Sequence, residues 1–428
     1  MDDLLTSYSA AIDALFARTT SGTKFGLERT EAILASMGSP HRKLAAIHVA
    51  GTNGKGSVVA SVEALLRSRG FRVGRYTSPH LIDFRERITV DSVPIPEQAV
   101  LEFLEKRTPL AEEIGATFFE LTTALAFEWF ANQGVDFAVV ETGLGGRLDS
   151  TNVLSPMVAT VTSIGMDHTE LLGDSLEKIA REKAGIFKPG VPAVIGEANP
   201  AIRSLLEECA KLAGAHPVIG LDSEYAIENV ELSSRGTSFT LADAAEVTTT
   251  TPLLGVHQAR NAAVAIATLQ ALGPNFLPPP DKISAALSTV FLPGRFQRFG
   301  KFIFDVAHNP DGAQTVATTL DALKVDRPRT ALLAVLRDKD WRGVIRALEP
   351  AVDRFVFTDA PSAPPERRWN AEEAKAFADS NGIAACLEPD IDTALRIAQA
   401  NSETVVVTGS FHTVGDVMSR LQVSPFAA

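Results

Sequence analysis

The chain has 428 residues, 45% of them apolar and 21% charged, which is too long for one ordinary core and predicts a soluble globular protein of two domains, with three as the alternative. A balance of 40 basic against 52 acidic side chains, formally −12, argues against a general nucleic-acid binder or a partner of anionic membranes, so an anionic substrate must be held by local positive features. The first residues show no basic segment followed by an apolar run, no window approaches the roughly 20 apolar residues of a spanning helix, and Cys209 and Cys386 form no paired motif, which points to a reducing cytoplasm.

Short β-branched runs then alternate with helical stretches, the pattern of a parallel sheet covered by helices. A strand is predicted over 46–49, a helix over 56–69 closed by Gly70, and a strand over 72–77. A helix over 118–131 and strands over 137–141 and 158–163 follow, then strand, helix and strand over 193–196, 201–212 and 217–220. Between 224 and 254 the Thr-rich, alternating segments around Ser233-Ser234-Arg235-Gly236 predict antiparallel strands. Helix returns over 257–272; prolines at 278–280 and the run Leu292-Pro293-Gly294 come next, and the latter marks the expected boundary between domains 1–294 and 295–428. Beyond it, strands near 302–306, 331–336, 354–358, 383–387 and 405–408 suit one compact doubly wound domain. The expected class is therefore α/β: an N-terminal P-loop-type domain with a mostly parallel sheet and an added antiparallel segment, and a smaller Rossmann-like domain.

The stretch HVAGTNGKGSV, from His48 to Val58, is an altered phosphate loop. Only Thr52 and Asn53 separate Gly51 from Gly54-Lys55, where four residues are usual, and Gly56 stands between Lys55 and Ser57. A strand feeding a glycine-rich turn and a helix brings backbone N–H groups and a helix N-terminus to a phosphate, and Lys55 adds a full charge. The plainer alternative is a tight turn with a solvated lysine. Because the hydroxyl that normally reaches magnesium is displaced, other ligands are called for. Ser78, Glu141 and His168 stand at C-terminal ends of predicted strands, where open α/β sheets collect ligands; taken singly, they read equally as a cap, a surface carboxylate and a structural histidine.

The block ETGLGGRLDSTN, 141–152, is too polar and glycine-rich for a buried element, so Arg147 and Asp149 either face substrate or hold a loop together. Asn261, in the apolar helix HQARNAAVAIA, either ties two elements or reads a base. Arg295, in LPGRFQ, lies where a cation reaches a nucleotide between domains. Asp305 and His308, in DVAHNPDG, meet ribose or phosphate, or else form an N-cap and a turn.

In this order the stretches GTNGKGS, TSPHL, FFELTT, ETGLGGRLDSTN, TSIGMDHTELLG, REKAGIFKPG, HQARNAAVAIA, PGRFQ, DVAHNPDG, LRDKDW and GSFHTVGD, spanning Gly51 to Asp416, resemble folylpolyglutamate synthase and dihydrofolate synthase, within the Mur ligase superfamily. The resemblance implies an ATP- and Mg2+-dependent amide ligase in which a substrate carboxylate attacks the γ-phosphate and glutamate then displaces phosphate from the acyl phosphate. It assigns the ATP loop to Thr52, Asn53, Gly54, Lys55, Gly56 and Ser57, and further nucleotide contacts to Asn261, Arg295, Asp305 and His308. It makes Ser78, Glu141 and His168 the magnesium ligands, and Lys183, in REKAGIFK, the lysine that the family carbamylates; Lys55, Lys183 and His168 are its catalytic residues. Pterin and aminobenzoate contacts fall on Thr23, Lys24 and Phe25, on Phe118, Phe119, Glu120 and Thr122, and on Leu148, Asp149 and Ser150; bacterial members that use dihydropteroate often have Ala where Ser150 stands. Gly56 after the lysine, with TSPHL and DVAHNP, points to the folate branch and away from the cell-wall ligases, which usually carry Thr there. FFELTT and LDSTN resemble the bacterial bifunctional type, acting on dihydropteroate, reduced folates and L-glutamate, as a cytoplasmic monomer. Single-activity synthases, a P-loop ATPase or kinase, and a nucleotide-binding regulatory module are the alternatives.

Overall fold

A computed structural model describes residues 2–18, 26–242, 247–400 and 402–426. Its first sheet contains β1 (Ala46–Ala50), β2 (Val73–Tyr76), β3 (Ile88–Val90), β4 (Val93–Pro94), β5 (Phe137–Glu141), β6 (Val158–Val161), β7 (Ala193–Ile195) and β8 (Val218–Gly220). The order is β4-β3-β2-β5-β1-β6-β7-β8. Neighbours from β2 to β8 run parallel, while β3 and β4 add an antiparallel edge. Both faces of β1 and β5 are buried throughout, as expected of parallel strands covered by helices on both sides.

From β1 the chain moves to one side of the sheet for β2 and β5, and to the other for β6. The C-terminal end of β1 is thus the switch point, where an open α/β sheet leaves a crevice. The helix Lys55–Ser68 starts there and buries Val58, Val59, Val62, Leu65 and Leu66 in one core with Ala262, Ala263, Ile266 and Leu269 of the helix Val256–Leu272. Each large side chain so buried contributes roughly 1.5–3 kcal/mol, and the small residues of the second helix let the two approach closely.

The antiparallel segment is three-stranded: β9 (Ala226–Ser233), β10 (Gly236–Ala242) and β11 (Val247–Thr251), in the order β11-β10-β9. The last sheet contains β12 (Gln297–Phe299), β13 (Phe302–Phe304), β14 (Arg329–Leu333), β15 (Arg354–Phe357), β16 (Ala385–Leu387) and β17 (Thr404–Thr408). Its order is β12-β13-β17-β14-β15-β16, parallel except for β12. It has its own cores, around Ile303, Leu333 and Phe355 on one face and Phe304, Leu332 and Val407 on the other.

Strand ends are shorter than the sequence predicts. β6 stops at Val161 instead of 163, where Thr162 and Ser163 turn to the phosphate loop, and β14 stops at Leu333 instead of 336, with Leu336 in a separate bridge to Arg368. The hairpin of β3 and β4 is an addition to the predicted elements; its turn residues Asp91 and Ser92 both have positive φ, +53° and +66°, a tight hairpin geometry made without the usual glycine.

Candidate active site

Backbone conformation shapes the phosphate loop first. Gly51 has φ +152° and Gly54 φ +87°. A Cβ on Gly51 would overlap the Thr162 hydroxyl, and one on Gly54 would stand 2.5 Å from Asn261 Oδ1. Asn261 therefore closes the loop turn from outside, with its Nδ2 donating to Gln258 Oε1 at 3.0 Å. The residues just past β6 hold the loop from the other side: Thr162 Oγ1 and Ser163 Oγ donate to the Asn53 carbonyl at 2.7 and 3.0 Å, and Thr52 N donates to the Ser163 carbonyl at 2.6 Å.

Lys55 opens the helix, and its Nζ donates back to the carbonyls of Gly51 (3.0 Å) and Thr52 (3.2 Å). Glu141 Oε1 lies 3.7 Å from that ammonium. The carboxyl of Glu141 is buried, which raises its pKa against the opposing effects of Lys55, Arg295 and the Ser78 N–H. Gly56 faces the same place: a Cβ there would lie 3.7 Å from Glu141 Oε2 and 3.9 Å from Arg295 Nη2. A cavity of about 240 Å³ opens here, with Gly56, Ser78, Glu141, Arg295 and Phe411 in its wall. Ser57 is buried in the first turn of the helix.

Ser78 and Glu141 are thus brought together, and their hard oxygens suit a magnesium ion. His168 is not in the wall of that cavity. It caps the short helix Thr169–Leu172 at φ +50°, with Nε2 3.1 Å from Lys339 Nζ. Burial, then the Lys339 charge, lowers its pKa to about 4, so the imidazole is neutral at pH 7. Among the described residues no three His, Cys, Asp or Glu side chains converge as a ready metal cluster.

Lys183, on the helix Leu176–Ala184, reaches back to the loop and donates to the Gly51 carbonyl at 2.8 Å. It is buried, and burial together with the nearby Lys55 charge brings its pKa down to about 7.

The C-terminal half closes over the loop. Asn309 Nδ2 donates to Asn53 Oδ1 at 3.2 Å, while Asn309 Oδ1 caps its own helix through Gly312 N at 2.8 Å. Arg295 is half-buried with its guanidinium 5.2 Å over the Phe411 ring, and burial lowers its pKa against Asp305 and Glu141. Asp305 accepts from Phe296 N and Ala307 N, both at 2.9 Å, and so fixes the turn that carries Arg295. Of the two readings left open for Asp305 and His308, the N-cap belongs to neither. His308 hydrogen-bonds through Nδ1 to the Val306 carbonyl at 2.9 Å and sets Nε2 3.3 Å from Asp167 Oδ2.

The residues expected at the pterin site have local jobs. Phe118 stacks on Phe16 with centroids 4.8 Å apart, under the Arg87 guanidinium at 5.0 Å, and Phe119 packs 6.0 Å from Tyr76. Glu120 accepts from Arg29 Nε at 2.9 Å and from Thr117 N at 2.7 Å, completing a capping box, and Thr122 Oγ1 donates to the Phe118 carbonyl. Asp149 holds its loop together, accepting from Leu144 N at 2.7 Å and from Thr151 N and Oγ1 at 3.0 and 2.5 Å. Leu148 is half-buried, Ser150 is buried at the start of the turn Ser150–Val153, and Arg147 pairs with Glu182 at 3.0 Å. Thr23, Lys24 and Phe25 lie outside the described residues.

Sequence reasoning missed Asp167, Asn309 and Lys339. Lys339 stands in LRDKDW, and its Nζ is 2.5 Å from Asp167 Oδ1; the available signal is a charged residue in the segment that follows β14 of the last sheet.

Two family models match the chain: the Mur ligase middle domain over residues 49–269, and the Mur ligase, glutamate ligase domain over 294–411. The Bacillus subtilis dihydrofolate synthase/folylpolyglutamate synthase is 33% identical, with 98% of this chain and 100% of that protein aligned. The solved structure of Mycobacterium tuberculosis folylpolyglutamate synthase complexed with ADP and AMPPCP superposes with a TM-score of 0.89 at 33% identity, covering 99% of this chain and 100% of that one. A bifunctional folylpolyglutamate synthase/dihydrofolate synthase with Mn, AMPPNP and L-glutamate bound gives 0.81 at 32% identity, covering 94% and 95%. With this likeness running over nearly the whole length, the chain belongs to the Mur ligase family, in the branch of the dihydrofolate synthases and folylpolyglutamate synthases.

Proposed function

We propose that the chain is an ATP-dependent amide ligase that joins L-glutamate to dihydropteroate and to the γ-carboxyl of reduced folates. The observation that carries this reading is the phosphate loop met from the opposite half, with Asn309 on Asn53 and Arg295 beside Gly56 and Glu141. A nucleotide bound by the loop lies between two domains, which we place at residues 1–294 and 295–428; the separate matches of the two family models support that division.

A carboxylate oxygen of the pteroate attacks the γ-phosphorus, the bond to ADP breaks, and an acyl phosphate forms. The amine of glutamate then attacks the acyl carbon, phosphate leaves with the bonding electrons, and the nitrogen gives up a proton. Attack of one anion on another needs cations aimed at the transferring group. Lys55, now spending its hydrogen bonds on two loop carbonyls, is read as the group that turns to the phosphate oxygens, and Arg295 as a second from the other half. Ser78 and Glu141, with His168 joining them, are read as holding Mg2+, which when bound offsets phosphate charge; the relative with Mn and AMPPNP supports a divalent ion beside the nucleotide. Lys183 is read as the carbamate-forming lysine. The pterin contacts are assigned to Thr23, Lys24, Phe118, Phe119, Glu120, Thr122, Leu148, Asp149 and Ser150.

We read the protein as a cytoplasmic monomer acting on small molecules; no described helix is long and apolar enough to cross a membrane, and neither cysteine is in a disulfide. The test is product mass after incubation with ATP, Mg2+ and L-glutamate, once with dihydropteroate and once with a reduced folate. One added glutamyl unit on each is expected, with one ADP per bond. ADP release that ignores both acceptors overturns the ligase reading, and a product from one acceptor alone reduces it to a single synthase.

A further inference from the structure

Lys339 is carried by the C-terminal half, in the turn that leads into the helix Trp341–Leu348, and that turn is fixed by Asp340 capping the helix through Gly343 N at 2.9 Å. Its side chain is only 6% exposed. Its ammonium meets two groups of the N-terminal half: Asp167 Oδ1 at 2.5 Å and His168 Nε2 at 3.1 Å. An ammonium only donates, so His168 Nε2 turns its lone pair toward Lys339, as it would toward a metal ion. A carboxylate oxygen and an imidazole nitrogen thus converge on one positive charge that is part of the chain itself. His308, at 3.3 Å from Asp167 Oδ2, completes the cross-half cluster.

We propose that Lys339 is a positioning residue that acts as a built-in cation, holding the Asp167 and His168 pair and docking the C-terminal half while no divalent ion is present, and leaving that pair when the ion binds. This rests on the reading of His168 as a metal ligand. Two conditions follow. The ion and Lys339 compete for the same lone pair, and the ion-free protein depends on Lys339 for the closed arrangement.

The test uses the full chain without nucleotide, titrated with Mn2+ and followed by the electron paramagnetic resonance of the free ion. Lys339→Met is expected to bind one Mn2+ about tenfold more tightly than the wild type, the equivalent of removing one competing contact. Lys339→Arg, which keeps the charge, should stay close to the wild type, and it also covers the case in which the Met variant fails to fold. The gain should vanish in the His168→Ala/Lys339→Met double variant. In ion-free buffer, small-angle scattering should give a larger radius of gyration for Lys339→Met than for wild type. Equal Mn2+ affinity in wild type and Lys339→Met overturns the competition, and equal dimensions overturn the docking. A gain that persists without His168 overturns the placement of the ion, while product formation from dihydropteroate tests the ligase reading separately.

Discussion

Replacing Lys183 with methionine keeps the length and apolar stem of the side chain and removes the amine. In the folded protein that amine is buried against the Gly51 carbonyl, at 2.8 Å, with the Lys55 charge nearby, and its pKa falls from 10.5 to about 7. At pH 7 about half of the molecules then carry the neutral amine, against about 0.03% for a solvated lysine, an enrichment of more than ~1,000-fold in the form that can react. Addition to carbon dioxide forms an N–C bond, releases a proton from nitrogen and leaves a carbamate anion, so a cation near Lys55 becomes an anion. With 13C-labelled bicarbonate, carbon NMR of the wild type is expected to show a protein-bound carbamate that grows as pH rises through about 7. The sign follows from the shift: below that value the amine is protonated and inert, and above it the proton is already gone. Lys183→Met should show no such signal, and its ligase rate should drop by roughly 100-fold, the scale of losing one preorganised electrostatic group. A wild type without carbamate at pH 8, or a signal that survives in Lys183→Met, refutes the reasoning.

Gly54→Ala places a methyl 2.5 Å from Asn261 Oδ1 on a residue with φ +87°, a strain of roughly 1–3 kcal/mol; calorimetric titration should show ATP binding weakened by about tenfold or more, and unchanged affinity would mean that the loop does not need this turn. Glu141→Gln keeps the shape of the side chain but removes the anion between Lys55 and Arg295, so the Mg2+ concentration for half-maximal rate should rise by about tenfold, and an unaltered magnesium titration would remove Glu141 from the metal site.

How much of this was legible depended on whether the signal was local. β1, β5 and β17 read correctly from AIHVA, FAVVE and TVVVT because a strand buried on both faces is a continuous apolar run. The sequence reading extends β6 and β14 past their ends because Thr162, Ser163, Ala334 and Val335 look like strand residues locally; past Val161 the Ser163 carbonyl is taken by Thr52 N, and the Thr162 and Ser163 hydroxyls by the Asn53 carbonyl, 109 and 110 positions away. The phosphate loop was legible from Lys55 and the spacing of its glycines. Ser78 and Glu141 came from their place at strand ends, and the fold does bring them to one cavity. Lys339 was not legible, since its carboxylate partner Asp167 lies 172 positions earlier and meets it only when the two halves dock.

The same distinction explains how an acidic chain can recognise anionic substrates. A net charge of −12 is spread over a surface on which charges more than about 8 Å apart are largely screened at physiological salt. At the phosphate loop, by contrast, the ammonium groups of Lys55 and Lys183 both meet the Gly51 carbonyl, with the half-buried Arg295 beside Gly56, and the two lysines are held mainly by neutral carbonyl oxygens. A phosphate oxygen 4 Å from one such cation gains about 4 kcal/mol at an effective dielectric of 20, whereas a lysine turning from a carbonyl to a phosphate gives up only a neutral acceptor for a charged one. The balance at the crevice therefore favours anions whatever the sum over the chain. Glu141, 3.7 Å from Lys55 Nζ, offsets part of that positive charge, so its removal should make the crevice hold phosphate anions, released product included, more tightly.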